Sequence, residues 1–204
     1  LPGTIASSHD FKISPGGDNL LVQETRDGID HLRIFAFKNG RLGKEVPPFI
    51  NGSFVIWNTR WLSDREVVYT LENNEKPTFI QSVNLATGET VNWTKGRLPA
   101  ALDGTVGPPE VIRWNSFDNM EITGYIVRPR TKTGRLPVLI RVHGGPQVQD
   151  RPIFDPIDAL LALQLGVSII HTNIRGSSGF GRSFMDADDR EKREHAVKDI
   201  RALL

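Results

Sequence analysis

The sequence predicts two unlike parts: an all-β part built like propeller blades through residue 109, then the opening of an α/β domain from 110 to 204. Three observations carry this. Short apolar runs separated by turn residues recur at a fixed spacing in the first half. Pro108-Pro109 interrupts them. Beyond Val138, strand-like runs alternate with a helical segment, the pattern of a mostly parallel sheet.

The first part reads as antiparallel β structure. Ser14-Pro15-Gly16-Gly17-Asp18 is a turn leading into a strand over Asn19–Glu24. Asp27-Gly28 turns the chain, His31–Phe37 alternates, and Asn39-Gly40 is a strong two-residue hairpin signal. The layout then returns. Leu62-Ser63-Asp64 precedes a strand over Glu66–Leu71, Asn73-Asn74-Glu75 turns, Thr78–Leu85 alternates and Thr87-Gly88 turns. Leu20-Leu21-Val22 and Val67-Val68-Tyr69 lie 47 residues apart, as do Leu32-Arg33-Ile34 and Phe79-Ile80-Gln81. A four-stranded unit recurring at about 40–50 residues suggests propeller blades; two meanders of one β-sandwich are the alternative. Propellers close with about four to eight blades, so two are expected to be part of a larger ring. Trp57, Trp61, Trp93 and Trp114 are expected to pack in the core or between blades rather than stack on a ligand.

In the second part, Val111–Trp114 and Ile122–Val127 read as strands joined by a turn at Asp118-Asn119, and Arg128–Arg135 as a surface loop. Val138–Val142 is apolar except at Arg141, as in a strand inside a mostly parallel sheet. Asp155-Pro156 offers an N-cap acceptor and a proline at the first helical position, and Gly166 a C-terminal stop. Val167–His171 completes a β-α-β unit. From about Ala187 a final helix is predicted, with Ala196, Val197, Ile200, Leu203 and Leu204 on its apolar face.

Composition narrows the function classes. A net charge of +1 gives no electrostatic support for binding nucleic acid or a membrane surface. No run approaches 18 uncharged apolar residues, so no transmembrane helix is predicted. The absence of cysteine excludes disulfides and thiolate metal sites, and the five histidines include no i,i+4 metal pair. No cofactor is expected. Nothing before Ser14 has the layout of a signal peptide, and the cytoplasm is the expected compartment. A chain starting at Leu1 without methionine reads as a piece of something longer, with exposed apolar edges and low stability in isolation.

The chemistry concentrates at two motifs. His143-Gly144-Gly145-Pro146 follows a strand, and glycines there let the backbone turn sharply and bring its N–H groups close to a ligand atom. In α/β-hydrolases one oxyanion-hole donor comes from such a loop, and losing a donor costs about 3–4 kcal/mol of barrier. The position of His143 suggests that it holds the loop. Gly176-Ser177-Ser178-Gly179-Phe180-Gly181 fits neither phosphate-loop spacing and reads as a tight loop at the sheet's carboxyl edge. Ser177 and Ser178 are the nearest nucleophile candidates, yet G-x-S-x-G occurs nowhere in the sequence. Asp199 reads as a structural hydrogen-bonding group or a solvated charge.

Taken together, Ile112–Pro129, Pro137–Gln149 (P-V-L-I-R-V-H-G-G-P-Q-V-Q) and Asn173–Phe184 (N-I-R-G-S-S-G-F-G-R-S-F) resemble the prolyl oligopeptidase family of serine peptidases. The resemblance is closest to its acylaminoacyl-peptidase and dipeptidyl-aminopeptidase branch and covers about residues 110–204. It implies a β-propeller gating an α/β-hydrolase domain, and short peptides as substrates. It also implies that Gly144 and Gly145 form the oxyanion-hole loop, with the Gly145 N–H as donor. His143, Arg175 and Gly176 would support that loop, Arg175–Gly181 would shape the floor beside the nucleophile, and Asp199 matches an aspartate usual in the following helix. His171-Thr172 departs from the apolar residue and proline that usually precede the asparagine, and Arg190–His195 lacks a Trp-Gly often found there.

No member of the Ser/Asp/His triad is present, so the parent protein is expected to be a serine peptidase and these 204 residues alone inactive. The expected partners are short peptide substrates and the remainder of the same chain, with a homo-oligomer left open. An esterase would use the same loop but normally lacks a propeller. A non-catalytic propeller-hydrolase scaffold that binds peptides or partner proteins is the alternative of a different class.

Overall fold

The computed structural model describes residues 7–46, 50, 52–145 and 147–204; Pro146 of the His-Gly-Gly-Pro motif lies outside them. Strands β1 (Ser7–Ile13), β2 (Asn19–Arg26), β3 (Ile29–Lys38) and β4 (Arg41–Glu45) form an antiparallel sheet in sequential order. A second sheet repeats the plan with β5 (Val55–Ser63), β6 (Glu66–Asn73), β7 (Lys76–Asn84) and β8 (Thr90–Asn92). The recurrent runs 47 residues apart fall on β2 and β6, and on β3 and β7. The tight hairpins follow from local chemistry: Asp27 and Gly28 have φ of 51° and 80°, Asn39 and Gly40 of 51° and 74°, the two consecutive positive values of a type I′ turn.

The two sheets share one core. Leu21, Leu32 and Ile34 of the first pack with Ile56, Val67, Tyr69, Leu71 and Val83 of the second. Each large apolar side chain fully buried there stabilises the fold by about 1.5–3 kcal/mol. Polar groups bridge the sheets as well: Lys12 Nζ donates to the Thr59 carbonyl at 2.8 Å, and Gln23 Nε2 to that of Ile56 at 2.8 Å. Two tryptophans do not pack as expected. Trp61 and Trp114 are half-buried, whereas Trp57 and Trp93 are 48% and 61% exposed. A register shift between Ile56 and Thr59 breaks the two-residue alternation of β5 and turns Trp57 outward. Trp93 lies just past the short β8, where its N–H donates to the Ile80 carbonyl at 2.9 Å and its indole Nε1–H to Ser82 Oγ at 3.0 Å.

The third sheet is mixed. Strands β9 (Glu110–Asn115), β10 (Glu121–Val127), β11 (Val138–Val142) and β12 (Ser168–Asn173) lie in the order β11-β12-β10-β9. β11 and β12 are parallel, joined through helix α1 (Pro156–Leu165), and the other pairs are antiparallel. Asp155 caps α1 by accepting from Ile157 N at 2.8 Å, and Gly166 ends it in the left-handed region at φ 65°. Ala162 packs with Val106, Tyr125, Val127 and Ile169 against the sheet. Among the described residues β11 pairs with β12 alone, which leaves its other edge free, and Val138 and Val142 are 53% and 45% exposed.

The last helix also differs from expectation. After a short α2 (Arg182–Met185), 3-10 turns at Asp186–Asp188 and Arg190–Lys192 precede α3 (Arg193–Leu203). Arg190 has φ 56° and breaks the helical run that its sequence suggests. Val197 is exposed, and the residues that α3 buries are Ala196 and Asp199. A charged residue occupies the inner face because it is fully paired there.

Candidate active site

The segment between β11 and α1 holds the candidate loop. His143 is half-buried, and Gly144 and Gly145 are exposed at the carboxyl end of β11. Gly145 has φ 105°, a conformation that residues with a side chain rarely adopt, and a Cβ there would sit 2.7 Å from Val148 Cγ2. Gly144 has open space around its Cα. Among the described residues, no hydrogen bond takes up the N–H of Gly144 or Gly145. Two adjacent unpaired N–H groups on an exposed glycine pair are equipped to receive a developing negative oxygen.

The chain from His171 to Ser178 is the template on which this loop rests. His143 Nε2 lies 2.9 Å from Ser177 Oγ. The Ser177 hydroxyl, fully buried, donates its proton to the Ile174 carbonyl at 2.6 Å, so toward His143 it can only accept. His143 is therefore the donor in that contact and no base for Ser177. Further along, Ser178 N donates to the Val148 carbonyl at 3.0 Å. Asn173 clasps the Asp150 backbone from both sides, accepting from its N–H at 2.8 Å and donating to its carbonyl at 3.0 Å.

Arg175 fixes the template itself. It is 2% exposed, and its Nη2 and Nε reach Asp199 at 2.8 and 3.0 Å, while Nη1 and Nη2 reach Asp118 at 2.8 and 2.9 Å. The Arg175 hydrogen bonds hold the Asp118 carboxyl down at a pKa of about 2. Asp199 also accepts from Arg175 N at 3.0 Å and from Ser116 Oγ at 2.5 Å. The Phe117 ring covers the guanidinium at 4.9 Å. Gly176, at φ 96°, passes so close to the buried Asp188 carboxylate that no Cβ fits. Sequence reasoning singled out Arg175, Gly176 and Asp199 but missed Asp118 and Ser116. Asp118 reads as an ordinary turn residue, and nothing in its sequence context announces a partner 57 positions away.

A cleft of about 580 Å³ opens beside the loop, within the size range of ligand sites. Gln147, Gln149 and Ser178 form one wall, and Asp10, Gln23 and Trp57 the other. Arg151 crosses it: its guanidinium ion-pairs with buried Asp30 and lies 5.5 Å from the centre of the Trp57 ring. A second hollow of about 330 Å³ lies among Arg26, Asp30, Arg33 and Glu45, where Arg33 is already paired with Glu24 and Glu45. Among the described residues, no group of three histidine or acidic side chains is arranged to hold a metal ion.

No family model matches the chain. It is 28% identical over 146 residues to dipeptidyl aminopeptidase BIII of Pseudoxanthomonas mexicana, a match covering 66% of this chain and 20% of that protein. It is 22% identical over 196 residues to the prolyl endopeptidase of Elizabethkingia meningoseptica, covering 95% and 27%. Its fold matches prolyl oligopeptidase B from Galerina marginata, solved with a 35mer hydrolysis and macrocyclization substrate, with TM-score 0.79 and 20% identity over 100% of this chain and 29% of that one. A post-proline cleaving enzyme from Rickettsia typhi matches with TM-score 0.76 and 20% identity, over 99% and 29%. The chain thus spans less than a third of the length of each of these proteins. The relatives and structural neighbours that cover most of these 204 residues are peptidases of the prolyl oligopeptidase family.

Proposed function

We propose that residues 1–109 belong to a β-propeller and residues 110–204 open an α/β-hydrolase domain, in a serine-type peptidase that cleaves short peptides through an acyl-enzyme. The observation that carries this reading is the N–H pair of Gly144-Gly145, unpaired among the described residues, at the carboxyl end of β11 and braced by the 171–178 segment. The kinship of the chain with peptidases supports it.

In this mechanism a serine Oγ attacks the peptide carbonyl carbon, and the carbonyl oxygen takes up the negative charge of the tetrahedral intermediate. The Gly145 N–H donates to that oxygen. A histidine takes the serine proton and returns it to the leaving amine, and an acid orients the histidine. These three residues come from outside this chain, since G-x-S-x-G is absent from it and the Ser177 proton is committed to Ile174. The cleft between the β-meanders and the loop would admit an extended peptide, with Trp57 on its wall.

The full-length protein, treated with a fluorophosphonate probe, should label on a G-x-S-x-G serine, and the 204-residue chain should not label. Gly145→Ala should lower kcat about 10²–10³-fold with little change in KM, because the donor is displaced from the oxyanion. Gly144→Ala, which keeps its N–H and has room for a methyl, should stay near wild type. A full-length protein that binds peptides but never labels would replace this reading with that of a non-catalytic scaffold.

A further inference from the structure

One buried cluster lies outside the machinery described so far. His171 of β12 is 4% exposed and stacks on Tyr125 of β10, with ring centres 4.4 Å apart and planes 7° from parallel. Its Nδ1 lies 3.0 Å from Asp150 Oδ2 and its Nε2 2.7 Å from Asp158 Oδ2. Ionised carboxylates only accept hydrogen bonds, so both contacts form together only when both ring nitrogens carry a proton. The remaining charged neighbours are Arg141 from β11 and Asp155 at the start of α1. Arg141 Nη1 donates to Asp155 at 2.5 Å and to the other Asp158 oxygen at 2.6 Å. Three carboxylates would face a single guanidinium if the imidazole were neutral; its charge removes part of that imbalance.

Asp150 joins the cluster to the glycine loop. Its backbone is clasped by Asn173, and the chain runs from there back through Val148, bonded to Ser178 N, to Gly145. We propose that His171 is a positioning residue: its imidazolium, bridging Asp150 to Asp158, anchors the far end of the loop that carries Gly144 and Gly145, and its deprotonation loosens that loop. Burial pulls the His171 pKa down, but the hydrogen bonds to Asp150 and Asp158 and the charges of both outweigh it, leaving the group above its ordinary value of 6.5. The anchoring is therefore complete below about pH 6.5 and is lost as pH rises through the folded-state pKa.

The meaning of the loop rests on the peptidase reading above, whereas its dependence on His171 does not. The test has two readouts on the full-length protein. The first is hydrogen exchange of the peptide covering residues 143–150 from about pH 5 to about 9, corrected for the intrinsic pH dependence of exchange. The second is the rate of fluorophosphonate labelling over the same range. Exchange protection of the wild type should fall about tenfold for each unit by which the folded pKa exceeds the unfolded one. His171→Phe keeps the stack on Tyr125 but has no N–H, and should show low protection that is flat with pH. Asp150→Asn, a milder change, should do the same and serves if the first variant fails to fold. Labelling by both variants should be slower and should lose the wild type's inflection. Protection that is pH-independent in the wild type, or unchanged in Asp150→Asn, overturns the proposal. A titrating loop in a protein that never labels upholds the anchor and removes the peptidase reading.

Discussion

Arg175 holds together the buried network of Asp118, Asp199 and Ser116 that lies at the base of the 171–178 segment. Its guanidinium is buried against two carboxylates, and Asp199 has no solvent exposure to fall back on. Removing one partner of such a pair leaves an uncompensated buried charge, which costs about 3–5 kcal/mol. Arg175→Met should therefore destabilise by that amount in urea unfolding. Arg175→Met combined with Asp199→Leu should cost less than the sum of the two single changes, because the double change removes the stranded charge. Acid should reach the same network through Asp118. With its folded pKa lowered to about 2 from 3.8, Asp118 contributes stability that is complete above about pH 4 and lost as pH falls through 2. Asp118→Asn should flatten that stretch of the stability profile, and the residue's exposed position keeps the effect small. The sequence marks Arg175 through its place in the run Asn173–Phe184 that carries the family resemblance. The burial of Asp199 was not legible there, because a charged residue on a helix is solvated unless distant residues complete its bonds, and its donors Arg175 and Ser116 lie 24 and 83 positions away.

At the scale of elements, the sequence was most legible where a local rule fixes the backbone. The Asp27-Gly28 and Asn39-Gly40 hairpins, the Asp155-Pro156 start of α1 and its Gly166 stop all rest on steric or capping rules confined to a few residues. The strand order of the third sheet was not legible, since the apolar run of β11 suits an edge or a centre alike. Nor was the broken start of α3, where exposed Arg193 donates to the buried Asp188 carboxylate at 3.0 Å. Gly124 of β10 shows what pairing demands of a sequence. A Cβ there would overlap the His171 carbonyl of β12, so the two strands run as close as they do only because position 124 has no side chain. Gly124→Ala should destabilise by about 1–3 kcal/mol, the range for overpacking a filled interior. It should also lower hydrogen-exchange protection along β12 more than along β6. Equal loss in both strands would mean that the methyl group is absorbed elsewhere.

Across the whole molecule, a few side chains couple the two meanders to the mixed sheet. Asn74 Nδ2 donates to the Gly107 carbonyl at 2.5 Å, Arg113 pairs with Asp27, and Arg130 with Glu75. The two ion pairs lie at exposed or half-exposed positions and contribute about 1 kcal/mol or less each, and the bond from buried Asn74 is worth about 0.5–1.5 kcal/mol. Arg151 differs from them. Its partner Asp30 is fully buried and also accepts from Thr25 Oγ1, from Gln23 Nε2 at 3.2 Å and from Ile56 N at 2.6 Å, so one carboxylate ties both meanders to the segment that follows the glycine loop. Arg151 Nε adds a bond to the Gly28 carbonyl at 3.3 Å. Because Asp30 keeps its other donors when the arginine is lost, Arg151→Met should cost about 2 kcal/mol, within the range for a hydrogen bond to a charged group and below that for a fully stranded ion. Trp57, beneath the guanidinium, supplies the local reporter. Its fluorescence should change in Arg151→Met under native conditions, and its urea transition should part from that of half-buried Trp114 if Arg151 is what makes the parts unfold together. If the two tryptophans still report one transition and stability is unchanged, the other cross-contacts hold the parts together and Arg151 merely spans the cleft.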